Sequence, residues 1–312
     1  MINNDDVTQK TIVLLNKGLC KLEKIHSLKF TYKILFKYIR FSLKKDLEKT
    51  NAEYKIGIND ANKKIPNKFW IMWWQGLDKA PSLIRQNVKR LQYFFGEQNV
   101  FIITKENYQE YTNISKTIID KFNNNNISFT SLSDIIRFNV LKNYGGFWID
   151  STVALSNKFV EYFKKETKGP FFSICNVNGN YHNISVSKWT IWFIGGVPNY
   201  DLFNYLDKFY EIYYTNHNKS IDYFLTDDVI SYYYLKNLAF QNYCKKLSRT
   251  WYPYYFVSKF DKKFKQIYLS MFNNNIDYSV QKLTYKYSED ILRDKNSTLY
   301  HLYGKQWSLD DK

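Results

Sequence analysis

The stretch Ser133–Val153, SDIIRFNVLKNYGGFWIDSTV, decides the fold, because it turns two acids and an arginine toward one point. Ser131 with Asp134 three residues on forms a capping-box pattern, and Ile135, Phe138 and Leu141, with Ile136 and Val140, give helical spacing as far as Asn143. Tyr144-Gly145-Gly146 ends the helix, and Phe147-Trp148-Ile149 reads as a short buried strand ending at Asp150. A helix rising about 1.5 Å per residue climbs roughly 14 Å from Asp134 to Asn143, and a strand returns about 13 Å from Gly146 to Asp150. Asp150 therefore comes back level with Asp134, and Arg137, one turn along the helix, shares the Asp134 face.

Two carboxylates and a guanidinium at the end of a strand suit a phosphorylated ligand accompanied by a divalent cation. Carboxylate oxygens take a hard cation, and the arginine fork takes phosphate. The plainer alternatives are that Asp134 caps the helix, Arg137 pairs with it and Asp150 caps a following helix.

The order Ser-Asp-x-x-Arg, apolar helix, Tyr-Gly-Gly, aromatic-Trp-Ile strand and Asp-x-Thr resembles the capsular polysaccharide synthesis proteins of the glycosyltransferase family 32 type. It is similar in pattern to family 8 enzymes and to the glucosylating domains of large clostridial toxins. The resemblance implies a sugar-nucleotide-dependent enzyme of GT-A type. Asp134 would contact donor-sugar hydroxyls, Arg137 the sugar or diphosphate, and Asp150 a divalent metal, Mn²⁺ or Mg²⁺. At Thr152 the usual second carboxylate of Asp-x-Asp is replaced by threonine, as in the capsule-synthesis branch of the resembling enzymes, leaving one fewer anionic ligand beside Asp150.

The flanking sequence fits an α/β domain. Lys68–Gly76, KFWIMWWQG, reads as a first central strand, followed by a helix over Pro81–Tyr93, a strand over Val100–Thr104 and a helix near Lys105–Tyr111. No GxGxxG fingerprint is present, which disfavours a nicotinamide dehydrogenase. Trp70, Trp73 and Trp74 suit a buried strand. In the resembling enzymes a tryptophan at the end of this strand stacks on the donor base, and Trp73 is the match. Near the other end, Tyr300–Ser308, YHLYGKQWS, is similar to a His-x-x-Gly-x-x-Lys-Pro-Trp element of family 8. By that resemblance His301 completes the metal site with Asp150 and Thr152, Lys305 contacts the diphosphate, and Trp307 and Ser308 contact donor phosphates or the metal.

Ile191–Pro198 reads as a strand and turn, Tyr200–Tyr214 as a helix, and Ile221–Val229 as the opening of another. Asp222, Asp227 and Asp228 there are candidates for acceptor hydroxyls or for the departing sugar cation, or else an acidic first turn facing the helix dipole.

The whole composition sets the remaining limits. With 312 residues, 45% hydrophobic and 19% aromatic, the chain has material for one large α/β domain. The net charge of +16 invites a nucleic-acid reading. Residues 1–68, however, hold 15 Lys and Arg against 7 Asp and Glu, so half of the excess lies in that first segment, and no nucleic-acid module is recognisable. We expect no nucleic-acid partner. Residues 1–60 are expected to form a basic amphipathic helical extension, and residues 61–312 a GT-A-like glycosyltransferase domain with a Rossmann-type mixed sheet flanked by helices. Within 7–50, Leu28, Tyr32, Leu35, Ile39, Leu43 and Leu47 form one apolar stripe. Such a stripe packs on a domain or lies on an anionic membrane. Asn51–Lys64 reads as the linker. Three scattered cysteines, a polar Met1–Gln9 and no long apolar run point to reduced thiols and a cytoplasmic setting, peripheral to a membrane at most.

The expected partners are thus a nucleotide-sugar donor and a glycan or lipid-linked oligosaccharide acceptor. An inactive glycan- or membrane-binding relative is the alternative that Thr152 prompts.

Overall fold

A computed structural model describes residues 4–23, 29–57, 63–176, 184–185, 188–247 and 250–303. The strands are β1 (Phe69–Met72), β2 (Val100–Ile103), β3 (Gly146–Ile149), β4 (Val153–Leu155), β5 (Phe171–Ser173), β6 (Cys175–Asn176), β7 (Phe193–Gly196), β8 (Thr250–Trp251) and β9 (Val280–Lys282). Five of them form the main sheet in the order β2-β1-β3-β7-β5. β1 runs parallel to β2 and β3, whereas β7 runs antiparallel to both β3 and β5. This is a mixed α/β architecture of Rossmann-like type.

Period-two alternation sorts the strand side chains between two cores. Trp70, Trp148, Ile194 and Phe171 enter one core, under the helices Phe129–Tyr144 and Asp201–Asn216. Phe69, Ile71, Phe147, Ile149, Phe172 and Phe193 enter the other, against Ser82–Phe95 and Asn157–Glu166. Burial on both faces explains why FWIM, VFII and GFWI are almost wholly apolar. A third cluster, built around Phe256, Phe260, Phe272 and Leu299, ties residues beyond 253 to Ala80, Leu83 and Ile84.

The decisive hairpin differs from its sequence reading at one end. The helix begins at Phe129, and its cap is Ser128, whose hydroxyl accepts from the Ser131 backbone N–H at 3.1 Å. Ser131 is therefore inside the helix, and Asp134, further in still, does not cap it. At the far end Gly145 and Gly146 take φ of 63° and 95°. A Cβ on Gly146 would lie 2.4 Å from the Lys68 carbonyl oxygen, so the close approach of β3 to the start of β1 requires glycine.

The amphipathic stripe packs on the domain. Leu28 lies outside the described residues; Tyr32, Leu35, Ile39, Leu43 and Leu47 are buried and belong to the same core as the Phe129–Tyr144 helix. Polar contacts reinforce this docking: Arg40 reaches the Ser231 hydroxyl, His217 pairs with Asp46 at 3.1 Å, and the Tyr54 hydroxyl donates to Asp201 at 2.6 Å. The expected linker is also partly structured. The helix Lys44–Glu53 runs into it, and the Gly57 N–H donates to Asp201.

Candidate functional site

The carboxyl ends of the parallel strands β1 and β3 open onto a cleft, the place where α/β sheets ordinarily bind ligands. It has two lobes of about 480 and 600 Å³, both large enough for a small-molecule ligand. Asp134, Arg137, Asp150 and Lys282 line both, so the charged cluster forms the partition between them.

Arg137 organises that partition. One terminal nitrogen donates to Asp134 and the other to Asp150, the latter at 3.2 Å, while the guanidinium lies 4.9 Å from the centroid of the Trp148 ring. The two acids brought level by the hairpin are thus bridged by one cation. Trp148 Nε1 donates to Asp150 Oδ1 at 2.9 Å, and the Thr226 hydroxyl donates to Asp134 Oδ2 at 2.7 Å. Burial lifts the Asp134 carboxyl above its ordinary range, against the pull of Arg137 and Thr226. Burial acts on Asp150 in the same direction, but Lys282 and Arg137 outweigh it and hold that carboxyl below the ordinary range.

Lys282 is the residue that sequence reading missed. Its ammonium donates to Asp150 Oδ2 at 2.5 Å and to Thr152 Oγ1 at 2.8 Å. The contact spans 132 and 130 residues of sequence and depends on the β4–β9 ribbon, in which Val153 stands opposite Lys282. The Leu283 N–H donates to the Thr152 carbonyl at 3.0 Å, which fixes the register beside the acid. From the other side, Asn87 on the Ser82–Phe95 helix donates to the Ser151 carbonyl at 2.8 Å and accepts from the Tyr303 hydroxyl at 2.7 Å. No local signal distinguishes Lys282 from the chain's other lysines.

One lobe is aromatic. Trp189, Trp192, Tyr223, Phe224 and Tyr254 line it together with Asp227. Trp189 Nε1 donates to Asp227 Oδ1 at 2.7 Å, and burial pushes that carboxyl up to about 7. The second lobe holds Trp73, Trp74, Lys79 and Tyr285. Trp73 meets Tyr285 edge to face at 5.7 Å, while Trp74 is packed among Tyr108, Phe122 and Phe129. Trp70 is core, with its Nε1 donating to the Gly145 carbonyl.

The structure therefore brings together Trp73, Asp134, Arg137, Asp150, Thr152 and Asp227. It does not bring Asp228, which is buried beside Asp222 and within the field of Arg40; burial and the neighbouring acids push its carboxyl well above the ordinary range. Asp222 is likewise buried, with one oxygen accepting from the Tyr223 N–H, and lines neither lobe. Nor does it bring His301. That ring stacks on Phe264 at 3.7 Å, and its Nε2 lies 2.9 Å from the Lys295 carbonyl oxygen. Lys305, Trp307 and Ser308 lie outside the described residues.

The expected metal set of Asp150, Thr152 and His301 does not assemble. Among the described residues no group of three or more His, Cys, Asp or Glu could hold an ion. Asp150 is the one carboxylate of the expected set, and both its oxygens already accept from cations, Arg137 on one and Lys282 on the other, so neither is open to an ion in this arrangement. A divalent ion does not fit these residues as they stand.

A Rossmann-like sheet with a charged cleft at the carboxyl ends of its parallel strands places the chain among mixed α/β proteins. A family model described as capsular polysaccharide synthesis protein matches residues 21–303, and the chain belongs to that family. No curated protein and no solved structure matches it. None of the described helices is long and apolar enough to cross a membrane.

Proposed function

We propose that this member of the capsule-synthesis family is a glycosyltransferase of GT-A type, similar to family 32, that moves a sugar from a nucleotide diphosphate, UDP in the first instance, to a hydroxyl of a surface polysaccharide or lipid-linked glycan. The observation that carries the reading is the Arg137 bridge between Asp134 and Asp150 on the wall between an aromatic lobe and a tryptophan-lined one. Trp73, with Tyr285, offers a face for the base. Arg137 and Lys282 supply positive charge for the diphosphate, and Asp134 offers a carboxylate to a donor-sugar hydroxyl. The rings of the other lobe suit the apolar faces of an acceptor sugar, with Asp227 beside them to exchange hydrogen bonds with its hydroxyls. By resemblance alone, Lys305, Trp307 and Ser308 are further donor contacts.

In this reaction the bond from the anomeric carbon to the diphosphate oxygen breaks, and its electron pair leaves with the diphosphate. The acceptor hydroxyl oxygen forms the new bond, and its proton passes to the departing diphosphate. Fixed cations aimed at the leaving oxygens stabilise charge that is greatest in the transition state. The resembling families retain anomeric configuration, and we assign no nucleophile.

The test is a panel of nucleotide sugars assayed for release of nucleotide diphosphate, with and without acceptor extract. The reading expects release from at least one donor, increased by acceptor; none from any donor would overturn it. Exposed Ile34, Tyr38 and Phe41, among Lys33, Lys37 and Lys44, form an outward face that supports contact with an anionic membrane. Equal sedimentation with anionic and neutral vesicles would count against that contact.

A further inference from the structure

Resting on the nucleotide-sugar reading, we propose that the ammonium of Lys282 is the resident cation of this site and that transfer proceeds without a divalent metal. Three observations converge. The first is occupancy: Lys282 Nζ bridges Asp150 Oδ2 and Thr152 Oγ1, the two residues of the Asp-x-Thr element, while Arg137 takes Asp150 Oδ1. The second is charge matching. An Asp-x-Asp pair carries two negative charges and balances a doubly charged ion, whereas Asp150 with Thr152 carries one and balances one ammonium. The threonine that stands where Asp-x-Asp enzymes carry a second acid and the lysine that touches it are thus two halves of one exchange.

The third is direction and rigidity. Lys282 lines both lobes, so the charge faces the place where the donor diphosphate would lie. It projects from a strand paired along β4, and its own N–H donates to the Pro253 carbonyl at 2.7 Å. An ammonium has three donors. Asp150 and Thr152 account for two, and the third is left for a phosphate oxygen. Lysine serves here as a compact point charge, the property that suits it to replace an ion.

The experiment measures nucleotide-diphosphate release and UDP affinity for the full chain in EDTA, then with added Mn²⁺ or Mg²⁺, for the native protein, Lys282→Ala and Lys282→Arg. A direct calorimetric titration with Mn²⁺ runs alongside, and circular dichroism checks the fold. The inference expects release and affinity unchanged within about twofold by EDTA, no Mn²⁺ heat, and a loss of about 100-fold or more in release for Lys282→Ala, the scale seen when one aimed donor is removed. Lys282→Arg should recover part of that loss. Native activity abolished by EDTA and restored by Mn²⁺ would overturn the inference while upholding the glycosyltransferase reading. EDTA-insensitive activity fully retained in folded Lys282→Ala would overturn the role of Lys282. Neither UDP binding nor release under any condition would overturn both. If Lys282→Ala fails to fold, the EDTA and Mn²⁺ arms on the native protein still decide the question of metal.

Discussion

The cleft is built from two regions of opposite character. The hairpin of 128–152 makes its half of the site from neighbours in sequence: Arg137 reaches Asp134 at a spacing of three and Asp150 at thirteen. The β4–β9 ribbon makes the other half from residues about 130 positions apart, and it delivers Lys282. Helical spacing and strand rise are fixed by backbone geometry, so the first half has a signature that can be read. The second half depends on a pairing register, which leaves no mark on the lysine itself.

The two halves meet on the Asp150 carboxylate, where a change should have the largest effect. Asp150→Asn keeps the shape but removes the charge that Arg137 and Lys282 share. Transfer from the nucleotide sugar should fall by about 100- to 1,000-fold while the far-ultraviolet circular dichroism stays unchanged. Full transfer with the correct donor and acceptor would show that the halves do not cooperate in chemistry.

A second change tests whether the aromatic lobe is as dry as its burial implies. Asp227 titrates near 7 in the folded protein against about 3.9 in an unfolded chain. The folded state therefore binds more proton between these values, and stability is lost as pH rises through that window, by at most about 1.4 kcal/mol per unit from this group. Asp227→Asn keeps an oxygen for Trp189 and removes the titration. Its urea stability relative to the native protein should rise from pH 4 to 7 and level off above. A difference independent of pH would place Asp227 in a solvated setting.

The smallest effect is expected where resemblance and structure part. His301→Ala should leave nucleotide-sugar turnover within about twofold, since the ring is occupied by Phe264 and the Lys295 carbonyl rather than by the cleft. Any loss of stability should be about 1 kcal/mol, the scale of one ring contact and one hydrogen bond. A collapse of turnover comparable to that of Asp150→Asn would restore His301 to the site.

The same division runs through the rest of the molecule. The strands β1, β2, β3 and β7 and their helices fall close to where alternation and helical spacing put them, because each buries an apolar face whose period is local. The capping pattern places the helix start three residues too late, just under one turn, since Ser128 and Ser131 are chemically equivalent caps and only the backbone chooses between them. The charge pattern of 7–50 left packing and membrane contact open; burial of Tyr32, Leu35, Ile39, Leu43 and Leu47 assigns that stripe to the domain and turns Ile34, Tyr38 and Phe41 outward. Among the three acids of 222–228 only Asp227 lines the cleft: Asp222 precedes the helix, and Asp228, about 100° further round it, is buried beside Asp222.

By itself the sequence determined the α/β alternation, the hairpin that levels Asp134 with Asp150, and the arginine between them. These follow from the rise and period of single elements. Tertiary structure alone decided what stands beside Asp150: it placed Lys282 on that carboxylate and kept His301 on Phe264. The physical reason is that a cation's effect falls with distance through space, whereas the chain records only order, and the β4–β9 register closes a gap of about 130 residues to 2.5 Å.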